Sequence, residues 1–219
     1  MSSLELATGI AVMLVDDHAV VREGYRRLIE KHGGLRVVAE AADGMAAYRD
    51  YKALNPDVVV LDLSMPGKGG IEVIRHLRAW DPAARILVFT MHRNAAYVMQ
   101  AFQAGARGYV TKSSPPALLV EAIREVFAGR RIISPDVSQE LALTRIDDEA
   151  DSLESLSARE FDIFRMIAEA RSTAEIAATL NLSAKTVSNY HSMIKAKLGV
   201  GSDVELAHLA LRMKVVDLA

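Results

Sequence analysis

The chain has 219 residues, a length for one large or two modest domains, and its 51% hydrophobic and 25% charged content leaves ample material for a core. A net charge of −2 provides no global attraction to nucleic acid, so any basic surface has to be local. Cysteine is absent, which excludes disulfides and thiolate-bound metal; no apolar run is long enough to span a bilayer, and the opening MSSLELATG carries no basic-then-apolar leader, so a cytoplasmic protein without membrane contact is expected.

Residues 10–15 (IAVMLV) read as a strand buried on both faces, ending at Asp16-Asp17-His18. A helix follows with Val21, Tyr25, Leu28 and Ile29 on one face, closed by Gly33-Gly34. Residues 35–39 are a strand, and 44–54 a helix stopped by Asn55-Pro56. The β-branched run 58–61 (VVVL) ends on Asp62, and Met65-Pro66 leads into the glycine-rich 67–70. A helix over 71–80 stops at Asp81-Pro82, a strand over 85–89 delivers Thr90, and a helix over 94–104 closes at Gly105. A short strand, 107–110, precedes Thr111 and Lys112. Ser114-Pro115-Pro116 opens the next helix, with Ser114 as N-cap and Leu118, Leu119, Ala122, Ile123 and Val126 as its apolar face. These five alternations of strand and helix predict a five-stranded parallel sheet with helices on both faces, over residues 9–128.

Residues 129–152 read as a linker with room for one short helix (135–143), and an acidic run follows at Asp147, Asp148, Glu149, Asp151 and Glu154. From 153 to 219 the pattern is helical only, giving an all-α domain of four helices. Ser157 with Glu160 forms a capping box ahead of Phe161, Phe164, Ile167 and Ala168. Ser172 or Thr173 starts a short helix to Leu180, Asn181-Leu182 makes a tight turn, Ser183 caps a helix over 184–198, and Ser202 caps the last. Two short helices joined by a tight turn make a helix-turn-helix.

Asp16, Asp17, Asp62, Thr90 and Lys112 all fall at carboxyl ends of predicted strands, and in a parallel sheet those ends share one edge. A carboxylate at such a place is a nucleophile, a metal ligand or both. Three crowded carboxylates call for a hard divalent cation, Mg²⁺ being the natural one, and a lysine with a hydroxyl suits the remaining oxygens of a phosphoryl group. That is apparatus for moving a phosphoryl group onto a carboxylate. His18 reads as a loop residue, since the six histidines have no metal-ligand spacing. On the helix over 184–198, Val187, His191, Ile194 and Leu198 make a packing face flanked by Tyr190, while Lys185, Ser188, Asn189, Ser192 and Lys195 lie toward the other; the segment has no acidic residue and also carries Lys197. Such a face suits the major groove.

The set Asp16-Asp17, Asp62 with Met65-Pro66, Thr90, and Tyr109 before Lys112 resembles the receiver domain of bacterial two-component response regulators. The tail, from Leu156-Ser157 through Glu175-Ile176-Ala177 and Lys185-Thr186-Val187 to Lys197-Leu198-Gly199, resembles the LuxR-type DNA-binding domain; together they resemble the NarL/FixJ subfamily over nearly the whole chain. The resemblance implies a flavodoxin-like receiver whose Asp62 accepts a phosphoryl group from a sensor histidine kinase. It implies Mg²⁺ held by Asp17, Asp62 and the backbone carbonyl of Ser64, with Asp16 acting through water, Lys112 pairing with the phosphoryl oxygens, and Thr90 and Tyr109 as switch residues, Thr90 moving toward the phosphoryl group and Tyr109 swinging inward behind it. It also implies a cis peptide after Lys112. The tail then binds double-stranded promoter DNA through Lys185, Thr186, Ser188, Asn189, Ser192, Lys195 and Lys197, as a homodimer when phosphorylated or DNA-bound. The last helix serves either that dimer or the domain's own core. Two departures stand out: Gly69 occupies a position where Asp or Asn is common, and Ala170-Arg171 stands where a glycine often ends the helix.

An aspartate-nucleophile phosphatase is the rival from another class. It needs a second carboxylate two residues after the nucleophile, and that position is Ser64, so no turnover of external substrates is expected. A non-DNA-binding interaction regulator is the third reading.

Overall fold

The computed structural model describes residues 9–65, 69–144, 153, 155–213 and 215–216. Pro66, Gly67, Lys68 and the acidic run from Asp147 lie outside the described residues. Two compact units emerge: one holds the described residues up to His92 together with Ala101–Asp136, the other holds Arg93–Gln100 with the described residues from Val137 on.

β1 (Ile10–Val15), α1 (Ala19–Lys31), β2 (Leu35–Ala41), α2 (Gly44–Leu54), β3 (Val58–Leu61), α3 (Gly70–Trp80), β4 (Ile86–Thr90), α4 (Ala95–Ala104), β5 (Gly108–Thr111) and α5 (Pro116–Phe127) alternate as the pattern predicts, all in the first unit except the part of α4 up to Gln100. The sheet is all parallel, in the order β2-β1-β3-β4-β5-β6, and its sixth strand corrects the expected five. β6 (Ile132–Ile133) comes from the stretch read as linker; it pairs with Gly108 and Tyr109, and two apolar residues between Arg131 and Ser134 are too short a signal for a strand.

Strand side chains alternate between the two faces of the sheet. Val12, Leu14, Val58, Val60, Leu87 and Val110 share one core cluster with Ile29 of α1 and with Leu119, Ile123 and Val126 of α5. Each such aliphatic side chain, removed from water, contributes about 1.5–3 kcal/mol. Met13, Val59, Leu61 and Val88 alternate to the opposite face and are equally buried, as are Ile71, Ile74 and Leu77 of α3. That double burial is why these strands read as unbroken apolar runs. At the outer surface, Lys52 of α2 lies 3.7 Å from the ring centre of Trp80, over its face. α5 starts differently from expectation: Pro115 is its N-cap with no side-chain cap bond, and the Ser114 hydroxyl turns to Thr111 instead.

The second unit contains α6 (Pro135–Thr144) beyond its first two residues, α7 (Ala158–Ala168), α8 (Thr173–Leu180), α9 (Ala184–Leu198) and α10 (Asp203–Arg212). Capping boxes open α7 at Ser157 and α8 at Ser172, and Ser183 and Ser202 cap α9 and α10. The helix-turn-helix bend is made by Asn181 in the left-handed region. α7 ends without glycine. Ala170 takes φ 58°, its N–H donates to Ile167 O and the N–H of Arg171 donates to Met166 O, which is a Schellman turn with alanine in the glycine position.

Candidate functional site

Strand register assembles the site. Val15 pairs with Leu61, so the residues that follow, Asp16 and Asp62, lie side by side past the strand ends. Thr90 pairs with Thr111, and the N–H of Lys112 donates to Thr90 O at 2.8 Å. Gly70 lets α3 come close to the site: a Cβ there would stand 2.6 Å from Asp62 O and from Leu63 Cα.

The Lys112 ammonium donates to Asp16 Oδ2 and to Asp62 Oδ2, each at 2.6 Å. Asp62 is 3% exposed and Asp16 is 7% exposed, so one cation serves two buried carboxylates. Burial alone lowers the pKa of Lys112, but its hydrogen bonds to Asp16 and Asp62 outweigh that and hold it above the ordinary lysine value. Asp62 Oδ1 accepts the N–H of Ser64, and Asp16 Oδ1 accepts the N–H of His18. Asp17 is half-buried, with His18 Nδ1 2.9 Å from its Oδ1. Potential ligand atoms of Asp16, Asp17, His18 and Asp62 lie within 4.8 Å of one another. Three carboxylates in that space fit a hard, oxygen-seeking divalent cation, and Asp17 Oδ1, which has the approach of the exposed His18 imidazole but no hydrogen bond, is an acceptor such an ion satisfies. The exposed imidazole of His18 is the poorer ligand for it.

Thr90 is fully buried and, among the described residues, its hydroxyl has no hydrogen-bond partner, a cost unless some group arrives to use it. Tyr109 is fully buried on the inside, donating its hydroxyl to His92 O at 3.0 Å. Ser64 Oγ meets His92 Nε2 at 2.9 Å, so His92 joins the loop after Asp62 to Tyr109. The peptide after Lys112 is trans, not cis as the resemblance implied. Two contributors escaped the sequence reading. One is His92; the other is Arg22, whose guanidinium donates to the Asp16 carbonyl and which lines a small cleft with Tyr25, Asp62 and Phe89. Arg22 follows Val21 on the α1 face whose periodicity pointed only to packing.

On α9, Val187, Ile194 and Leu198 are buried, and His191, expected among them, is half-exposed with Nε2 2.9 Å from Asp203 Oδ1. Lys185, Ser188, Asn189 and Ser192 are exposed. The hydroxyls of Ser188 and Ser192 donate to the carbonyls of Ala184 and Ser188, which leaves them outward-facing acceptors. Thr186 pairs its hydroxyl with Ser183. Lys195 donates to Asp203 at 3.0 Å, and Lys197 donates to Glu160 at 2.7 Å.

A receiver-type sheet with a lysine between two strand-end aspartates, followed by a capped helix-turn-helix, defines a phosphorylation-controlled regulator class. The family model for the response regulator receiver domain matches residues 12–124, and that for bacterial regulatory proteins of the luxR family matches residues 154–210. The chain belongs to the two-component response regulators of NarL/FixJ type, DNA-binding transcription regulators with a LuxR-type domain. It is 42% identical to response regulator UvrY of Escherichia coli over 205 residues, covering 93% of this chain and 94% of that one. It is 43% identical to response regulator GacA of Pseudomonas aeruginosa over 212 residues, covering 96% and 99%. Among solved structures, RcsB from Salmonella enterica serovar Typhimurium, bound to promoter rprA in the presence of phosphomimetic BeF3-, superposes with a TM-score of 0.71 at 30% identity, covering 92% of this chain and 98% of that one. Among the described residues no helix is long and apolar enough to cross a membrane.

Proposed function

We propose that this regulator accepts a phosphoryl group on Asp62 from the phosphohistidine of a sensor histidine kinase, in the cytoplasm, and that the phosphorylated form dimerises and binds promoter DNA. The observation that carries the reading is the ion-paired trio: Lys112 held 2.6 Å from both Asp16 and Asp62 at the carboxyl ends of adjacent parallel strands. Asp17, Asp62 and the Ser64 carbonyl would hold Mg²⁺, with Asp16 acting through water. When bound, the ion supplies positive charge to the phosphoryl oxygens. Asp62 forms a P–O bond as the P–N bond of the donor breaks, and the imidazole leaves with the electron pair. Lys112 moves its hydrogen bonds to the phosphoryl oxygens, and the partnerless hydroxyl of Thr90 gives them a further donor. Tyr109, already inside, stays on His92 O and fixes the loop that carries the change. Ser64 offers no acid or base for external substrates, so the only phosphoryl chemistry is at Asp62 itself.

For DNA, Asn189 is the amide suited to a bidentate contact with adenine, and Ser188 and Ser192 add acceptors. Lys185 and Lys195 suit phosphates, Thr186 sits at the helix start, and Lys197 reaches the backbone only by leaving Glu160. The exposed Val204 on α10 supports a dimer contact there.

The test is phosphorylation with a small phosphodonor and Mg²⁺. Asp62 should take the label and Asp62→Asn should take none. Full labelling of Asp62→Asn removes the assignment.

A further inference from the structure

β5 ends on Thr111, the residue before Lys112, and it is fully buried. Its hydroxyl meets three partners: Asp136 Oδ2 at 2.7 Å, Ser113 Oγ at 3.0 Å and Ser114 Oγ at 3.0 Å. A hydroxyl has one proton and two lone pairs, and a carboxylate only accepts. Thr111 therefore donates to Asp136 and accepts from both serines, which uses its capacity in full. Ser113 and Ser114 are the two residues after Lys112, and the Ser114 N–H also donates to Thr111 O at 3.1 Å. The turn that carries Lys112 is thus tied to one hydroxyl, and Asp136 fixes the direction of that hydroxyl. Asp136 lies in the first turn of α6, where helix amides favour a negative charge. It is held near β5 by the N–H of Ser134, which donates to Tyr109 O at 2.9 Å. It is also the last residue of the first unit.

We infer that Asp136, acting through Thr111, is a positioning residue for Lys112 in phosphoryl transfer. The inference rests on the reading of Lys112 as the partner of the phosphoryl group on Asp62. In the resting site Lys112 is steadied by Asp16 and Asp62 themselves. Once transfer starts it must leave those bonds for the phosphoryl oxygens, and only its own turn then aims it. A hydroxyl locked among three partners keeps that turn from drifting.

The experiment uses the full chain with phosphoramidate and Mg²⁺. A P–O bond forms to Asp62, the P–N bond breaks, and the nitrogen leaves as ammonia with a proton from solvent. Asp136→Ala and Thr111→Val should each slow labelling of Asp62 by about three- to ten-fold, the net value of one ordinary hydrogen bond. The double variant should be no slower than either alone. Asp136→Asn, whose Oδ1 still accepts from Thr111, and Thr111→Ser should stay near the parent. Without donor or metal, hydrogen exchange at the Ser114 N–H should quicken in Asp136→Ala and not in Asp136→Asn. Parental labelling rates in Asp136→Ala, additive losses in the double variant, or an Asp136→Asn as slow as Asp136→Ala would overturn the inference. If Asp136→Ala fails to fold, Thr111→Val against Thr111→Ser decides the same point. A parent that takes no label refutes the assignment of Asp62 instead, so the two failures are distinct.

Discussion

Thr90 carries a buried hydroxyl with nothing to bond to in the resting molecule. Thr90→Val keeps its shape and removes that group, so stability to urea should be unchanged or higher, because a buried unsatisfied donor is a cost. Labelling of Asp62 should persist, and most of the phosphorylation-dependent gain in DNA affinity should vanish. A Thr90→Val protein that gains affinity like the parent would take Thr90 out of the switch. Ala170 is the other residue out of its ordinary state, an exposed alanine at φ 58° closing α7. Left-handed backbone costs an L-residue about 1 kcal/mol that glycine does not incur, so Ala170→Gly should stabilise the C-terminal domain by up to that amount in a thermal or urea melt.

At the scale of elements, the start of α7 is joined to the end of α9 through Glu160. Its carboxylate accepts from the Ser157 N–H and from Lys197, and it is buried. Burial pushes the Glu160 pKa up, but the bonds from Lys197 and Ser157 prevail and hold it below the ordinary glutamate value. The folded state therefore binds this proton less readily than the unfolded chain does. The contribution is complete above the ordinary glutamate pKa and is lost as pH falls through the lower folded value. Glu160→Ala should cost about 1–3 kcal/mol at neutral pH, and Glu160→Gln should flatten the acid limb of the stability profile. On α9, Asn189→Ala should cost about 1–3 kcal/mol at a preferred site and relax particular base positions, whereas Lys195→Ala should weaken all DNA alike and reduce the log-log salt slope by about one. Binding-site selection and salt titration separate the two. Most of these elements were legible because each apolar run stops at a residue of different character: Val15 before Asp16, Leu61 before Asp62, Phe89 before Thr90. The caps at Ser157, Ser183 and Ser202 were legible for the same local reason, while Ser172 and Thr173 were left as alternatives that the structure resolves to Ser172. What escaped is non-local. Ser114 looked like an N-cap, yet its hydroxyl serves Thr111; Asp136 carried no signal of its own in the short helix over 135–143, yet it serves β5. Lys195 and Lys197 looked like plain DNA cations until Asp203 and Glu160 proved to hold them. Ile132-Ile133 becomes a strand only because β5 is there to pair with.

For the whole molecule, a net charge of −2 gives no global pull on DNA, so the proposed binding has to be concentrated on one face, and the proposed second copy would reinforce it. Phosphorylated protein should sediment as a dimer and select half-sites about one helical turn, ~10 bp, apart. The same form sedimenting as a monomer on DNA would end the dimer proposal. Lys112 adds a consequence of its own. Its ammonium is a counter-ion tethered to the chain, present at the acidic pocket at a far higher effective concentration than any dissolved cation. A divalent ion entering from solution exchanges with it rather than filling bare negative charge. The tether thus sets a ceiling on metal affinity and keeps the acids tolerable when magnesium is scarce. Lys112→Gln should consequently bind Mg²⁺ more tightly than the parent by calorimetry, and unfold more easily once the magnesium is chelated.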